Sequence, residues 1–268
     1  MKITNNSLYR YPGGKNRMKK DIEEIILDVK PDIEFMVSPF LGGGSLELLM
    51  AGPKNTIFQK EIRVQAYDIF GPLSDFWELL QEGRGPEIAK EVRKHMPLNN
   101  GYHYKSFMPL LNSDDKFTRA WSFYICIKGS YSGMIGSSTV LSRAELREAG
   151  LQKLENFNNP YFSMKWGNCF ETIPKHNEDF MYLDPPYYKT VNHYYGVGGE
   201  LHKSFDHEKF CEILKDHKGG FVMSYDNSDE VKNLYQDWTE FKYMTFPYQM
   251  SGKKRYKKEE LIIVKRPS

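Results

Sequence analysis

The sequence predicts an α/β fold, and three observations support that prediction. Strand and helix patterns alternate in the N-terminal part of the chain, the same alternation returns in the C-terminal part, and helical patterns dominate between them. Alternating strands and helices are typical of a parallel sheet covered by helices. A helical stretch between two such parts is most simply an inserted subdomain. We therefore expect one domain made of residues 1–82 and 161–268, interrupted by a mainly helical subdomain over residues 83–160.

The N-terminal elements are predicted from the spacing of apolar residues. A helix is expected over residues 16–29, where Met18, Ile22 and Ile26 recur at helical spacing. A strand over 34–40 precedes a glycine turn and a short helix beginning at Ser45. A second strand over 62–68 then leads to a helix over 73–80.

The C-terminal elements repeat this order. Strands are expected over 179–184 and 220–226, with a helix over 206–217 that Asp206 caps. Asn227 and Glu230 form a candidate capping pair for the next helix. Segments 241–250 and 259–265 are expected to form a hairpin. In the helical subdomain, Ser142 and Glu145 form a candidate capping box.

Composition excludes several classes of protein. The chain has 268 residues, a formal net charge of +2 and three scattered cysteines. Without paired cysteines or ligand spacing among the histidines, we expect neither a disulfide framework nor a metal site. No apolar run is long enough to cross a membrane, so we expect a cytoplasmic protein of a reducing compartment. Nothing in the sequence indicates an obligate protein partner.

The tetrapeptide Asp184-Pro185-Pro186-Tyr187 follows a predicted strand directly. Open α/β sheets bind their ligands at the carboxyl ends of strands. Two consecutive prolines stiffen the chain, so the Pro185 carbonyl and the Asp184 carboxylate can accept hydrogen bonds from one exocyclic amine. Tyr187 offers a flat face on which a base can stack. The alternative is an ordinary turn that ends a strand.

A glycine turn follows the first predicted strand. In Ser38-Pro39-Phe40-Leu41-Gly42-Gly43-Gly44, the glycines allow a ligand to approach the backbone closely. No Gly-Lys-Ser/Thr follows, so the turn is not a P-loop. Asp68, at the end of the second strand, is placed to accept both hydroxyls of a ribose, although a lone aspartate there is equally typical of a turn or cap.

The third motif is Arg10-Tyr11-Pro12-Gly13-Gly14-Lys15. Tyr11 can cover an aromatic ligand. Lys15 stands at the start of the first predicted helix, which is electrostatically unfavourable unless an anion lies nearby.

In this order, the three motifs resemble those of the Dam-like DNA adenine-N6 methyltransferases of the alpha arrangement. The resemblance covers nearly the whole chain outside the insertion and includes the tail Lys257-Lys258-Glu259-Glu260-Leu261. It implies a Rossmann-like methyltransferase sheet, an inserted target-recognition subdomain, S-adenosylmethionine as cofactor and double-stranded DNA as partner. It also implies transfer of a methyl group to an adenine flipped out of the duplex, as in restriction–modification systems.

The resemblance also implies roles for particular residues. The catalytic set is Asp184, Pro185, Pro186 and Tyr187. The expected cofactor-binding residues are Tyr11, Lys15, Phe40, Gly42, Gly44, Asp68 and Asp184. The expected DNA-binding residues are Arg10, Lys128, Tyr131, Ser132, Lys253, Lys254 and Arg255. For Tyr131 a place in the core, and for the basic residues a solvated surface, are the structural alternatives.

Two positions depart from the family pattern. Ser38 stands where an acidic residue is usual, which puts one contact to the amino group of the cofactor in doubt, and Asn168 stands where aspartate is common. A catalytically weak or silent DNA-binding protein is therefore one alternative, and an RNA adenine-N6 methyltransferase is another. A cytosine-C5 enzyme is excluded because no cysteine follows a proline. Residues 188–204, rich in glycine and aromatics, suit either a closing loop or a plain linker.

Overall fold

The computed structural model describes residues 2–54, 60–98, 103–136, 146–188, 205–248 and 256–268. Its N-terminal elements follow the predicted order. They are α1 (Lys19–Val29), β1 (Phe35–Ser38), α2 (Glu47–Met50), β2 (Gly52–Pro53), β3 (Glu61–Asp68) and α3 (Gly71–Gln81). Helix α1 begins later than residue 16 because residues before it form a turn, closed by the Met18 N–H donating to the Lys15 carbonyl at 2.9 Å.

The middle of the chain is helical, as predicted. It contains α4 (Gly85–Arg93), a 3-10 helix (His103–Asn112), α5 (Lys116–Gly129), a 3-10 turn (Tyr131–Gly133) and α6 (Glu148–Glu155). Tyr104, Phe123 and Leu151 from these helices join the same apolar cluster as Ile26 and Met36 beside the sheet. The helices therefore share a core with one face of the sheet, and a separate recognition role for residues 83–160 stays a prediction. The candidate capping box at Ser142 and Glu145 lies outside the described residues.

The C-terminal part adds five strands and three helices to the described structure. They are β4 (Phe162–Trp166), α7 (Cys169–Lys175), β5 (Phe180–Leu183), α8 (His207–Lys215), β6 (Phe221–Asp226), α9 (Asp229–Tyr235), β7 (Glu240–Tyr248) and β8 (Tyr256–Lys265). Asp206 caps α8 as predicted, with its Oδ1 accepting from the Lys209 N–H at 3.0 Å.

Three features of this part differ from the sequence prediction, one being that the short helix α7 was not predicted. The capping pair Asn227 and Glu230 is wrong: Ser228 caps α9, with its Oγ accepting from the Val231 N–H, while the Asn227 amide donates to Glu259 on β8. Strand β4 was not predicted. Its sequence, Phe-Ser-Met-Lys-Trp, has too few apolar residues to stand out, because it lies at the edge of the sheet with its last two residues exposed.

The strand order determines where along the edge of the sheet a ligand can bind. The main sheet runs β4-β3-β1-β5-β6-β8-β7, with β2 pairing antiparallel to the start of β3. Across the sheet, the neighbouring strands β4, β3, β1, β5 and β6 all run parallel. Strand β8 is antiparallel to both β6 and β7. From β1 the chain winds outward through β3 to β4, then returns to the other side of β1 as β5. The strand order thus reverses between β1 and β5, where open sheets bind ligands. None of the described helices is long and apolar enough to span a membrane.

The N-terminal segment is tied to this edge by Tyr9. Its hydroxyl accepts a hydrogen bond from Trp77 Nε1 at 2.8 Å and donates to the Gly42 carbonyl at 3.1 Å. The ring packs edge-on against Phe76 and Phe123, with centroids 5.7 and 5.5 Å away. Tyr9 therefore links the glycine turn to the aromatic core beneath α3 and α5.

We expect Tyr9→Phe to lower the free energy of unfolding by about 1–3 kcal/mol, because the buried Trp77 N–H loses its acceptor. Urea unfolding measures this loss. The matched control is Tyr161→Phe, whose hydroxyl donates to Glu61 on the exposed surface, and whose effect should be much smaller. Equal losses in the two variants would contradict the assigned role of Tyr9.

Candidate active site

A cavity of about 250 Å³ opens at the carboxyl ends of β1, β3 and β5. Its walls combine aromatic rings with acidic side chains, as is usual for sites that bind small organic molecules. Among the residues expected to bind the cofactor, the cavity brings together Tyr11, Lys15, Phe40, Gly42, Gly44, Asp68 and Asp184.

The glycine turn owes its composition partly to a side chain of the protein itself. A Cβ atom on Gly42 would lie 2.9 Å from the Tyr11 ring, and one on Gly43 would lie 2.8 Å from Tyr11 Cβ. Gly42 and Gly44 also have positive φ angles of 50° and 63°, which glycine adopts without strain. The turn is therefore shaped to seat Tyr11 in the cavity wall.

Asp68 is fixed by the turn next to it. Its Oδ2 accepts from the Gly42 N–H at 2.9 Å and its Oδ1 from the Phe70 N–H at 3.0 Å. Burial raises the pKa of Asp68 to about 6, against these backbone hydrogen bonds. A third backbone hydrogen bond comes from the Ile69 N–H. Because a carboxylate has about four acceptor positions, about one remains after these contacts. The expected contact of Asp68 to a ribose stays a prediction.

Lys15 is the cation at the centre of the site. Its Nζ lies 2.5 Å from Asp184 Oδ1 and 3.5 Å from Glu260 Oε1, and it donates to the Gly13 carbonyl at 3.0 Å. The Lys15 side chain is 4% exposed. The anion expected near Lys15 is thus Asp184, which the chain places 169 residues away.

The tetrapeptide divides between the cavity wall and the interior. Asp184 and Pro186 line the cavity, whereas Pro185 and Tyr187 are buried. The Tyr187 ring packs beside Tyr225 with centroids 6.1 Å apart, and Lys15 Nζ lies 5.1 Å from the Tyr187 centroid. The predicted stacking face of Tyr187 is therefore close to the Lys15 ammonium.

Two buried acids at this site were missed from the sequence. Glu47, the first residue of α2, lines the cavity, and its Oε1 accepts from Ser38 Oγ at 2.8 Å. Glu260 lies on β8 beside Lys15. Burial raises the pKa of each to about 7. The signal was present: Glu47 interrupts the apolar run Leu46 to Met50, and a charge in such a run is rarely buried without a partner.

Asn168 has a structural role at the cavity. Its side chain caps α7 by accepting from the Phe170 N–H at 3.0 Å, and it lines the cavity together with Phe170. An aspartate could accept the same hydrogen bond. Asparagine in place of the usual aspartate therefore keeps the helix cap and removes one negative charge.

The candidate DNA contacts within the described residues lie near one another. Gly133 packs against the N-terminal motif, since a Cβ there would lie 2.6 Å from the Arg10 carbonyl oxygen. Beside it, Ser132 has a positive φ of 52°, an uncommon conformation for a residue other than glycine. Tyr131 and Lys128 are half-buried at the end of α5, and Arg10 is exposed.

Other expected features cannot be compared with the structure. Lys253, Lys254 and Arg255 lie outside the described residues, as do residues 189–204 of the predicted closing loop. Within the described part of the chain, no three His, Cys, Asp or Glu side chains form a group that could hold a metal ion.

The buried Glu47 gives a prediction about pH. Its pKa in the folded chain is about 7 and its ordinary value 4.5, so its contribution to stability is complete below the ordinary value and is lost as the pH rises through about 7. Gln cannot ionise. Between about pH 5 and pH 8 we expect Glu47→Gln to gain about 2–3 kcal/mol of unfolding free energy relative to the unmodified protein.

Chemical unfolding at several pH values measures this gain. The control is Glu24→Gln, at an exposed position of α1 away from the cavity. If the curves for Glu47→Gln and the unmodified protein run parallel, Glu47 is not a buried titrating group.

The chain matches one protein-family model and, at low sequence identity, several solved structures. The family model described as D12 class N6 adenine-specific DNA methyltransferase matches residues 11–251. No curated protein matches the sequence. Among solved structures, the chain is 10% identical to a Pyrococcus horikoshii protein named as RNA methyltransferase PH1948, over 100% of this chain and 93% of that one, with a TM-score of 0.42. It is also 10% identical to the precorrin-6y C5,15-methyltransferase of Geobacter metallireducens, over 92% and 88% of the two chains, with a TM-score of 0.37.

The family match spans most of the chain, from Tyr11 of the N-terminal motif to the segment between β7 and β8. It includes the three strand ends that form the cavity and the tetrapeptide that begins at Asp184. The cofactor of such an enzyme is S-adenosylmethionine. The chain therefore belongs to the D12 class N6 adenine-specific DNA methyltransferases.

Proposed function

We propose that the protein methylates the N6 amino group of an adenine flipped out of double-stranded DNA at a specific site, as a Dam-like enzyme of the alpha arrangement. The observation that carries the proposal is the position of Asp184. Its carboxylate lines the cavity at the reversal of strand order and is held by Lys15 at 2.5 Å. The order of the motifs along the chain supports the alpha arrangement.

The cavity has the groups that S-adenosylmethionine needs. Asp68, whose carboxylate lines the cavity, suits the ribose, and Phe40 and Tyr11 offer apolar and aromatic surface. Acidic side chains suit the cationic groups of the cofactor. When bound, the cofactor supplies an electrophilic methyl group, and the protein supplies position and electrostatics.

In this proposal Asp184 and the Pro185 carbonyl accept the two N6 hydrogens of adenine and so orient the nitrogen lone pair. Asp184 need not be a strong base, since the proton becomes acidic only as the new bond forms. Tyr187 packs against the purine. Because Lys15 Nζ lies 5.1 Å from the Tyr187 centroid, stacking on that face requires the lysine side chain to shift, while its charge still neutralises Asp184.

We further propose that residues 83–160 recognise the DNA, together with the N-terminal motif. The packing of Gly133 on the backbone of Arg10 supports one continuous face that includes Lys128, Tyr131 and Ser132. Lys253, Lys254 and Arg255 are proposed to add phosphate contacts.

The alternatives have less support. A silent protein was suggested by the missing acid at Ser38, yet Glu47 places a carboxylate 2.8 Å from the Ser38 hydroxyl. Cytosine-C5 chemistry needs a thiolate, and burial raises the pKa of Cys169, the cysteine of the cavity wall, to about 12. RNA as substrate is tested by comparing methyl incorporation into duplex DNA and RNA of the same sequence.

We expect Asp184→Asn to lower methyl transfer about 100- to 1,000-fold, because the amide oxygen can accept from N6 but the neutral side chain cannot also neutralise Lys15. Incorporation of labelled methyl groups into DNA measures the rate. The control is Asp28→Asn, at an exposed position of α1. Duplex affinity of both variants should match the unmodified protein, and retained turnover in Asp184→Asn would contradict the role of Asp184.

We expect duplex affinity to fall steeply with salt, and the slope of log K against log salt to decrease by about 0.9 for each phosphate contact removed. Arg10→Ala and Lys128→Ala each remove one proposed contact. Lys20→Ala, in the exposed part of α1, is the matched control. Unchanged slopes in Arg10→Ala and Lys128→Ala would mean that neither residue contacts a phosphate.

A further inference from the structure

Glu47 is placed to bind a ligand in the cavity. It is 3% exposed, it follows the glycine turn directly, and its side chain forms part of the cavity wall. The Ser38 hydroxyl donates to Oε1 at 2.8 Å. A buried carboxylate that faces a cavity is costly to ionise unless a cation or several donors approach it.

The charges around Glu47 favour a cationic ligand. The charges of Lys15 and Asp184 act on the Glu47 carboxylate. The charges of Lys15, Asp184 and Glu47 also act on the buried Tyr182 of β5. Lys15 lies 2.5 Å from Asp184 and 3.5 Å from Glu260. Among the described residues that line the cavity, Lys15 is the one lysine or arginine. Three ionised carboxylates would thus share one ammonium group.

S-adenosylmethionine carries two cationic groups, a sulfonium and the ammonium group of its amino-acid part. Only the ammonium has N–H donors, and a carboxylate binds such donors with short, charge-assisted hydrogen bonds. We infer that Glu47 is a cofactor-binding residue whose ionised carboxylate accepts a hydrogen bond from the cofactor's ammonium group, with Ser38 orienting it. This inference rests on the cofactor site proposed above.

Two ligands separate this contact from the rest of the site. S-adenosylhomocysteine keeps the amino-acid part and has no methyl group to transfer, whereas methylthioadenosine keeps the nucleoside and lacks the ammonium. By calorimetry we expect Glu47→Gln to bind S-adenosylhomocysteine about 10- to 100-fold more weakly than the unmodified protein does. Methylthioadenosine affinity should change by less than about twofold.

A second measurement uses pH. Binding of an ammonium group requires the ionised carboxylate, so affinity for S-adenosylhomocysteine should fall from about pH 8 to about pH 6 as Glu47 takes up a proton. Asp68, Asp184 and Glu260 also face the site. The part due to Glu47 is the difference between the pH dependence of the unmodified protein and the smaller dependence of Glu47→Gln. Glu24→Gln should behave as the unmodified protein does.

The outcomes are distinct. If Glu47→Gln binds S-adenosylhomocysteine as tightly as the unmodified protein, the inference is wrong and the proposed function stands. If both ligands weaken alike, Glu47 has a structural role and the inference is also wrong. If the unmodified protein binds neither ligand, the proposed cofactor site fails together with the inference. Should the Gln variant not fold, Glu47→Asp keeps the charge, and it should lose S-adenosylhomocysteine affinity while retaining that for methylthioadenosine.

Discussion

The ion pair between Lys15 and Asp184 is the contact on which the site depends. It joins a residue of the N-terminal motif to the end of β5, and Glu260 of β8 adds a second carboxylate from the far side. Each of these groups is largely buried, so each would be costly to leave without a partner of opposite charge. One ammonium group therefore fixes the relative positions of three distant parts of the chain.

The rest of the fold supports this arrangement. The parallel pairing of β1 with β3 and β5 brings Ser38, Asp68 and Asp184 to one edge, because these residues all end neighbouring strands. Tyr9 and Tyr11 then hold the N-terminal segment against the glycine turn. Burying the carboxylates of this site costs free energy. The apolar cluster beneath, where Phe76, Trp77 and Phe123 pack, provides stability that offsets this cost.

The predictable parts were those with a local signal. Apolar periodicity predicted α1, and Asp206 was identified as the cap of α8 because a cap acts within three residues. Strand β4 carried no such signal, since an edge strand is half exposed. At α9 the adjacent residues Asn227 and Ser228 are both of types that cap helices. The Asn227 amide instead contacts Glu259 on β8, which leaves Ser228 as the cap. Lys15 could be singled out as needing an anion, but the identity of that anion depends on the sheet order.

Ser38 and Glu47 show why a departure from a family pattern is hard to interpret along the sequence alone. A comparison by position finds serine where an acid is usual and infers a lost contact. In space, the first turn of α2 lies directly beyond the end of β1, so a side chain nine residues later reaches the same place. The serine hydroxyl is small enough to leave room for that longer side chain and can also donate to it. On the inference drawn for Glu47, the cofactor needs a carboxylate at one wall of the cavity, and the fold allows either element to provide it.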